Sequence, residues 1–254
     1  MRLSYVTSAI VLRTWPFGES DKIVSFLTED HGKLRGIAKG AKRSVKRFGN
    51  CLEPFSLVRL RFQERSAGGL VFILGCELMR SFHKLASGLD RIAFASYCVE
   101  VTEGMVGEGE ENRPLFEHLR SALSHLEGEG ASFSFLASFE LKLLRLAGYR
   151  PVLDRCRACS AAWLRGGHGA WCFSFRDGGL LCQGCSRSRK EVVPLAGAAL
   201  DAIADLERDV AFGWGKNLSP GIVREIENVI GKFIRFQLDR EIKSAPFLHK
   251  LSAV

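Results

Sequence analysis

Two CxxC pairs constrain the fold of this chain more than any other feature of its sequence. Cys156 and Cys159 form the first pair, and Cys182 and Cys185 form the second. A two-residue gap lets both sulfurs of a pair face one ion, so two pairs can complete a tetrahedral zinc shell. Because four cysteines leave no ligand position open, the spacing predicts one structural Zn²⁺. Two disulfides or ordinary buried thiols are the alternative.

The other cysteines show no pairing pattern. Cys51, Cys76 and Cys98 lie in or beside apolar runs, which is typical of buried free thiols in a reducing compartment. Cys172 and His168 lie between the two CxxC pairs, and either is an alternative metal ligand. The aromatic neighbours of Cys172 favour packing in the core instead.

The sequence shows no targeting or membrane segment. The apolar stretch near its start is short and is interrupted by Thr7 and Ser8, unlike a signal peptide. No run approaches the roughly 18 apolar residues of a membrane span. We therefore expect a soluble cytoplasmic protein without a membrane partner.

Charge is distributed unevenly along the 254 residues, which carry a net charge of +8. Residues 1–80 contain 14 Lys and Arg against 7 Asp and Glu, and residues 151–190 contain 7 against 2. Residues 81–150 and 191–254 are mildly acidic. Two basic segments separated by an acidic one favour a long polyanion as the partner.

The first 80 residues have the pattern of a β-barrel. Short runs rich in Val, Ile, Leu, Phe and Thr predict strands over residues 5–15, 23–28, 34–38, 55–63 and 70–79. Residues 65–69 form the predicted hairpin turn before the last strand. Closure of five short strands into a barrel removes exposed sheet edges. We predict an oligonucleotide/oligosaccharide-binding (OB) fold over residues 1–80.

A run of cations lies in and after the third predicted strand. No carboxylate occurs between Asp30 and Glu53, whereas seven cations do: Lys33, Arg35, Lys39, Lys42, Arg43, Lys46 and Arg47. Gly36 and Gly40 allow close approach of the backbone to phosphates, and Phe48 is placed to stack on a base. The run predicts nucleic-acid binding that depends on salt rather than on sequence. A merely solvated basic loop is the alternative.

The rest of the chain has helical periodicity around the cysteine pairs. We predict a helical domain in two parts, residues 81–150 and 191–254, with the zinc-binding module over residues 151–190 between them. Within the second part, helices are predicted over residues 196–209 and 221–242. The predicted fold class is therefore α+β: a five-stranded OB-type barrel followed by a helical domain that carries the four-cysteine segment.

The sequence contains no recognisable catalytic constellation. A Walker A loop, an HExxH motif and a GxSxG motif do not occur. The acidic stretch at residues 108–111 contains glycine and has the character of a solvated turn. We predict a protein that is not an enzyme, with an unrecognised nuclease or nucleotidyl-transfer site as one alternative. Another is an RNA- or tRNA-interacting zinc protein that acts as a transcription or translation accessory factor.

Four segments of the chain resemble the RecO family of bacterial recombination mediators. The most specific is SAIVLRTWPFGESDKIVSFLTEDHGKLRGIAKGAKR, in which GESDKIVSFLTEDHGKL precedes a G-x-x-K-G-x-x-K/R run. The others are LLRLAGYRPVLDRC, the CRAC and CQGC pair, and the closing KSAPFLHKL. The resemblance covers essentially the whole chain.

The resemblance implies a function and a set of partners. It implies an OB domain, a helical domain and a zinc-bearing segment, in a nucleoid-associated protein that acts in DNA damage repair and recombination. It also implies binding to single- and double-stranded DNA and annealing of complementary strands. With RecR, such a protein helps load RecA onto strands coated by single-strand-binding protein (SSB).

The resemblance further implies that the helical domain receives the acidic, hydrophobic-ended tail of SSB. Such a tail needs an apolar groove and nearby cations. The candidate cations are Arg145, Arg150, Lys232, Arg235, Arg240 and Lys243. The alternative is that these cations only form ion pairs at helical spacing with Glu225, Glu227, Asp239 and Glu241.

Overall fold

The computed structural model describes residues 3–64, 69–166, 169–208 and 218–251. The chain divides into two compact units, residues 1–130 with 243–254, and residues 131–242. The division into four parts remains a prediction. The two units group its segments differently, because residues 81–130 belong with the barrel. Most of the predicted turn at 65–69 lies outside the described residues.

A closed five-stranded barrel forms the core of the first unit, as predicted. Its strands pair in the order β1-β2-β3-β5-β4, and the barrel closes between β4 and β1. The strands are β1 (Ser4–Phe17), β2 (Asp21–Thr28), β3 (Lys33–Ala38), β4 (Leu57–Gln63) and β5 (Val71–Arg80). Together with the helices that follow, this barrel confirms the predicted α+β class.

Close approach of two strands explains Gly36. β3 runs parallel to β5, and Gly36 pairs with Val71. A Cβ at Gly36 would lie 2.7 Å from a side-chain carbon of Ile73, so any larger residue would push β3 away from β5. The prediction that Gly36 admits a phosphate strand is therefore wrong, because this buried glycine serves the closure of the barrel.

The short helix α1 (Val45–Phe48) lies between β3 and β4 and contributes to the barrel core. Its Phe48 is only 5% exposed and packs in the same cluster as Phe26 and Phe62. The predicted stacking of Phe48 on a base is wrong, because the ring is buried. Its burial anchors the helix that carries Lys46 and Arg47.

A disulfide joins Cys51, just after α1, to Cys76 on β5, with the two Cα atoms 6.2 Å apart. The prediction of free thiols at these positions is wrong, because the barrel brings together two cysteines that 25 positions separate in sequence. Cys98 is buried and lies outside the disulfide, as predicted.

Helices from two parts of the chain complete the first unit. A 3₁₀ turn (His83–Ser87) leads into α2 (Leu89–Met105) and α3 (Arg113–Gly128), and the chain returns to this unit as α9 (Ala245–Leu251). The buried Glu100 of α2 accepts hydrogen bonds from the backbone N–H groups of Lys243 and Ser244, at 2.9 Å each. These bonds connect α9 to α2.

The second unit combines helices with a small sheet. Its helices are α4 (Phe133–Leu146), α5 (Gln183–Ser186), α6 (Gly197–Arg208), α7 (Pro220–Ile226) and α8 (Lys232–Leu238). The sheet has the order β7-β6-β8, with β6 (Trp171–Ser174), β7 (Gly179–Cys182) and β8 (Val192–Leu195).

The predicted helix over residues 221–242 is interrupted and ends early. A π-helical turn (Glu227–Gly231) joins α7 to α8. Asp239 adopts a left-handed conformation with φ of 47°, which ends the helix at Leu238. The other predicted helix, over residues 196–209, matches α6 within one residue at the start, while Asp209 lies outside the described residues. In the described part of the chain, no helix combines the length and apolarity needed to cross a membrane.

Candidate nucleic-acid interface and metal centre

The seven predicted cations fall into two groups. Lys33 is 8% exposed, and its Nζ donates a 2.8 Å hydrogen bond to the carbonyl of Glu103 on α2. This burial removes Lys33 from the predicted nucleic-acid contact and gives it a structural role. The other six are exposed: Arg35, Lys39, Lys42, Arg43, Lys46 and Arg47.

Hydrogen bonds hold the exposed segment that joins β3 to α1. Asp21 accepts a 2.8 Å bond from the N–H of Gly40. This bond lowers the pKa of the Asp21 carboxyl most, followed by a bond from Ser20 and the charges of Lys39 and Lys42. The Nζ of Lys42 also donates to the carbonyl of Gly18 at 2.8 Å. The segment therefore has a defined backbone on the surface of the barrel.

The exposed cations differ in how far the protein neutralises them. Arg35 lies 3.2 Å from the carboxylate of Glu108, which is half exposed itself. Arg47 donates to the carbonyl of Lys39 at 2.8 Å, and it forms no ion pair with a carboxylate of the described residues. Arg43 and Lys46 are exposed and form no ion pair with any carboxylate in the described part of the chain. These two cations are the most available to an external anion.

The barrel brings further groups to this surface that the sequence analysis missed. The Nζ of Lys39 lies 5.6 Å from the ring centroid of Phe72 on β5, which is half-buried. Arg61 on β4 is exposed and pairs in register with Gly75, next to the carbonyl of Arg47. Neither residue lies near the cationic run in sequence. Only the strand order reveals them.

The four cysteines of the CxxC pairs meet at one point. Their sulfur atoms all lie within 4.8 Å of one another, and those of Cys159 and Cys182 are 3.8 Å apart. The first pair lies on a turn before β6, and the second pair spans the end of β7 and helix α5. Four soft sulfur donors at this distance can hold a metal ion.

Backbone hydrogen bonds shape the first cysteine turn. The N–H of Cys156 donates to Ala161 at 2.8 Å, and that of Ser160 donates to Cys156 at 2.9 Å. The turn docks on β7 because the N–H of Arg157 donates to Leu180 at 2.8 Å. Close to this contact, a Cβ on Gly179 would lie 2.4 Å from the carbonyl oxygen of Val152, so the position requires glycine.

The crowded thiols have displaced pKa values. Burial raises the pKa of Cys156, but N–H donors from Cys182, Cys159 and Ala158 outweigh burial and lower it to about 6. Hydrogen bonds from the other three thiols, that of Cys182 first, raise the pKa of Cys185 to about 12. Four thiolates so close together repel one another, and a bound cation removes this repulsion.

The alternative ligands do not join this cluster in the part of the chain that the structure describes. Cys172 lies on β6, where it pairs in register with Leu181 and Pro194. His168 lies outside the described residues. The position of Cys172 within the sheet accounts for its exclusion, because adjacent residues of a strand face opposite sides.

The six candidate partner-binding cations do not share one unit. Lys243 belongs to the first unit, while Arg145, Arg150, Lys232, Arg235 and Arg240 belong to the second. Two nitrogens of Arg150 each lie 3.1 Å from the carboxylate of Glu207, which raises the pKa of the guanidinium. Arg145, Lys232 and Arg235 are exposed and form no ion pair with a described carboxylate.

A cavity of about 500 Å³ lies beside Arg150 in the second unit. Leu200 and Ile203 of α6 line it together with Trp163, and Arg155 and Arg165 lie at its edge. Arg165 is paired with Asp201 and Asp205. The cavity therefore combines an apolar wall with guanidinium groups and with the carboxylates of Asp154 and Glu207.

Comparison with known proteins agrees with this arrangement. The family described as recombination protein O, N terminal, matches residues 1–82, and that described as recombination protein O, C terminal, matches residues 86–246. A DNA repair protein RecO from Anaeromyxobacter sp. (strain K) is 34% identical over 96% of this chain and 95% of its own length. A second, from Syntrophus aciditrophicus (strain SB), is 33% identical over 98% of this chain and 97% of its own. The chain belongs to the RecO family.

Proposed function

We propose that this protein is a non-enzymatic DNA-binding mediator of recombinational DNA repair. In this proposal it binds single- and double-stranded DNA and anneals complementary strands. Together with RecR, it helps load RecA onto single-stranded DNA that SSB coats. Support comes from membership of the RecO family, whose relatives above are named DNA repair proteins.

The exposed cations around α1 are the observation that carries the proposal. Six exposed cations lie on residues 33–48 of the closed barrel, called here the β3–α1 segment, and Arg43 and Lys46 have no carboxylate partner among the described residues. Each phosphate that such a cation neutralises releases counterions, so affinity comes without sequence preference. Annealing requires two polyanions to approach while their bases stay accessible, and it requires no bond-making step.

Removal of Arg43 and Lys46, the two most available cations, tests this interface. We expect Arg43→Ala with Lys46→Ala to weaken binding of every DNA sequence. The slope of log affinity against log salt should flatten by roughly 0.7 to 0.9 for each phosphate that the variant no longer neutralises. Fluorescence anisotropy with labelled oligonucleotides over a salt series measures both quantities. An unchanged slope would show that the loop is only solvated.

A matched control and a competitor sharpen this test. Arg113→Ala with Arg120→Ala removes two cations from the same unit that already pair with Glu29 and Glu117, and this variant should keep the wild-type slope. An annealing assay with SSB-coated oligonucleotides, run beside an RNA competitor, distinguishes the DNA function from the RNA alternative. Preferential binding of the RNA would contradict the proposal.

We further propose that the four-cysteine cluster holds one structural Zn²⁺. A tetrahedral Zn²⁺ with Zn–S bonds of about 2.3 Å places neighbouring sulfurs about 3.8 Å apart. The observed separation of the Cys159 and Cys182 sulfurs is 3.8 Å. With all four sites taken by sulfur, the ion would stabilise the fold of residues 151–190 and supply no reaction chemistry.

We place the SSB tail at the cavity beside Arg150. The apolar side chains of Leu200 and Ile203 would receive the hydrophobic end of the tail, and Arg155, which forms no ion pair with a described carboxylate, would meet its carboxylates. Titration of a synthetic tail peptide by fluorescence anisotropy tests this placement at low and moderate salt. Ile203→Glu should abolish binding, whereas Lys232→Glu should not, and the reverse result would move the site to α8.

A further inference from the structure

A row of phenylalanines in the second unit runs from its core to its surface. Phe233 and Phe173 are buried, and their ring centroids lie 5.2 Å apart. Phe173 contacts Phe175 at 5.6 Å, and Phe175 stacks on Phe236 at 6.3 Å with 29° between the rings. Because Phe236 is 49% exposed, the row ends in an aromatic face that is open to solvent.

Three exposed cations accompany this face. Arg176 follows Phe175 in the turn between β6 and β7. On α8, Lys232 precedes Phe236 by four residues, so their side chains share one side of the helix. Arg235 is adjacent to Phe236. Within the described ranges, none of these three cations is paired with a carboxylate.

The neighbouring charges do not neutralise this face. Asp177 lies in the same turn, but it accepts a 2.6 Å hydrogen bond from Ser174 and lies 3.5 Å from Arg189. Arg150 and Arg165, elsewhere in the unit, are paired with acidic residues. The cations beside the stacked rings have no such partner among the described residues.

We propose that this aromatic-cationic face, formed by Phe175, Arg176, Lys232, Arg235 and Phe236, binds single-stranded DNA. A strand alternates flat bases with anionic phosphates, which matches an exposed ring stack flanked by unpaired cations. The hydrophobic end of a peptide needs a groove that encloses it, whereas Phe236 presents its ring to solvent. The inference rests on the proposed function and adds a second contact for the same substrate.

A second contact has a direct consequence for annealing. The β3–α1 segment belongs to one unit and the aromatic-cationic face to the other. Each unit can then hold its own strand and neutralise part of its charge, which lowers the repulsion between two strands as they pair. Stacking on Phe236 does not depend on which base is bound, because every base has a π-face.

Substitution of Phe236 in the full-length protein tests the face. In the Arg43→Ala/Lys46→Ala background, we expect Phe236→Ala to weaken binding of a short oligothymidine by roughly 5-fold to 100-fold. Phe236→Leu, which keeps apolar packing without a π-face, should show the same loss, and Phe236→Trp should restore binding. Tyr149→Ala removes another exposed aromatic ring of the same unit and should change nothing.

Cross-linking and competition decide between the outcomes. Ultraviolet irradiation with an oligonucleotide that carries 5-iododeoxyuridine should label Phe236 or Phe175. The inference would be overturned if Phe236→Leu left the DNA affinity of the Arg43→Ala/Lys46→Ala background unchanged. It would also be overturned if Phe236→Leu lost binding of an acidic, aromatic-ended peptide while its DNA binding persisted. If the wild-type protein fails to bind DNA at all, the proposed function falls. If the wild-type protein binds and anneals DNA but Phe236→Ala and Tyr149→Ala have the same DNA affinity, only the proposal of a second contact is refuted.

Discussion

The barrel and the cysteine module stabilise themselves in opposite ways. The barrel closes a continuous sheet around buried side chains such as Phe26, Leu60 and Phe62. The module has two strands of four residues each, β6 and β7, and Cys156 is the only buried residue between positions 154 and 165. The turn over residues 154–165 buries too little apolar surface to offset the entropy of ordering its chain. The comparison predicts a barrel that folds without metal and a module that does not.

The largest expected effect follows from loss of one proposed ligand. Cys182→Ser should remove the metal and unfold residues 151–190 while the barrel stays folded. Structural zinc supplies about 10 kcal/mol or more to small zinc domains, which far exceeds what two short strands can replace. Elemental analysis gives the metal content, and hydrogen exchange compares protection in the two regions.

Cys172→Ser is the matched control for this loss. It removes a thiol of the same module that lies outside the cluster, so it should retain the metal. Metal loss in Cys172→Ser with retention in Cys182→Ser would reassign the ligands. Absence of zinc from protein purified without chelators would refute the metal site. Unfolding of the barrel together with the module in Cys182→Ser would contradict the prediction that the barrel folds without metal.

The same contrast explains what the sequence reveals. All five strands lie within two residues of their predicted bounds, because apolar runs separated by turn residues reflect local preferences. The cysteine cluster is as readable, because two residues of spacing almost determine the geometry of each pair. Both features are encoded over short stretches of sequence.

Features that depend on strand order were missed. The sequence does not show that Cys51 meets Cys76, that Phe48 points into the barrel, or that Phe72 lies under Lys39. The burial of Lys33 has the same origin, since it depends on where α2 packs. A cationic run records charge, and only the tertiary fold decides which of its members reach solvent.

The disulfide gives the next largest effect and acts on the barrel alone. Closure of a loop of this length is worth about 3.5 kcal/mol in the chain-entropy model. Cys51→Ala with Cys76→Ala should therefore lower the free energy of unfolding of the barrel by up to about this amount. Denaturation with and without reductant measures it, because only the wild type should respond to reduction. An unchanged free energy of unfolding would show that the barrel core is stable enough without the disulfide. Cys98→Ala serves as the buried-thiol control.

The contact that returns the end of the chain to the barrel unit should respond to acid. Burial raises the pKa of Glu100, but hydrogen bonds from Ser244 and from two backbone N–H groups outweigh burial and lower it below 4.5. The stabilisation is therefore complete above pH 4.5 and is lost as pH falls through the lower, folded-state value.

Removal of the carboxylate tests the same contact at neutral pH. Glu100→Ala leaves buried N–H donors unsatisfied and should destabilise the docking of α9 by about 1 to 3 kcal/mol. Limited proteolysis near residue 243 should detect the released segment. Substitution of the exposed Glu77 by Ala is the control, and equal protection in both variants would contradict this role for Glu100.

The smallest expected effect has the opposite sign and lies in the other unit. Burial raises the pKa of Glu227, in the π-helical turn, from 4.5 to about 7. The folded chain therefore keeps this proton where the unfolded chain releases it, so stability falls as pH rises from 4.5 to 7. Glu227→Gln cannot ionise and should be more stable than the wild type above pH 7, by about 1 kcal/mol because solvent reaches part of the group. The gain should vanish below pH 4.5, where both side chains are neutral. Urea denaturation at pH 4 and pH 8 measures the difference, with the exposed Glu241→Gln as control. A gain that is equal at both pH values would show that packing of the amide, rather than the buried charge, separates the two proteins.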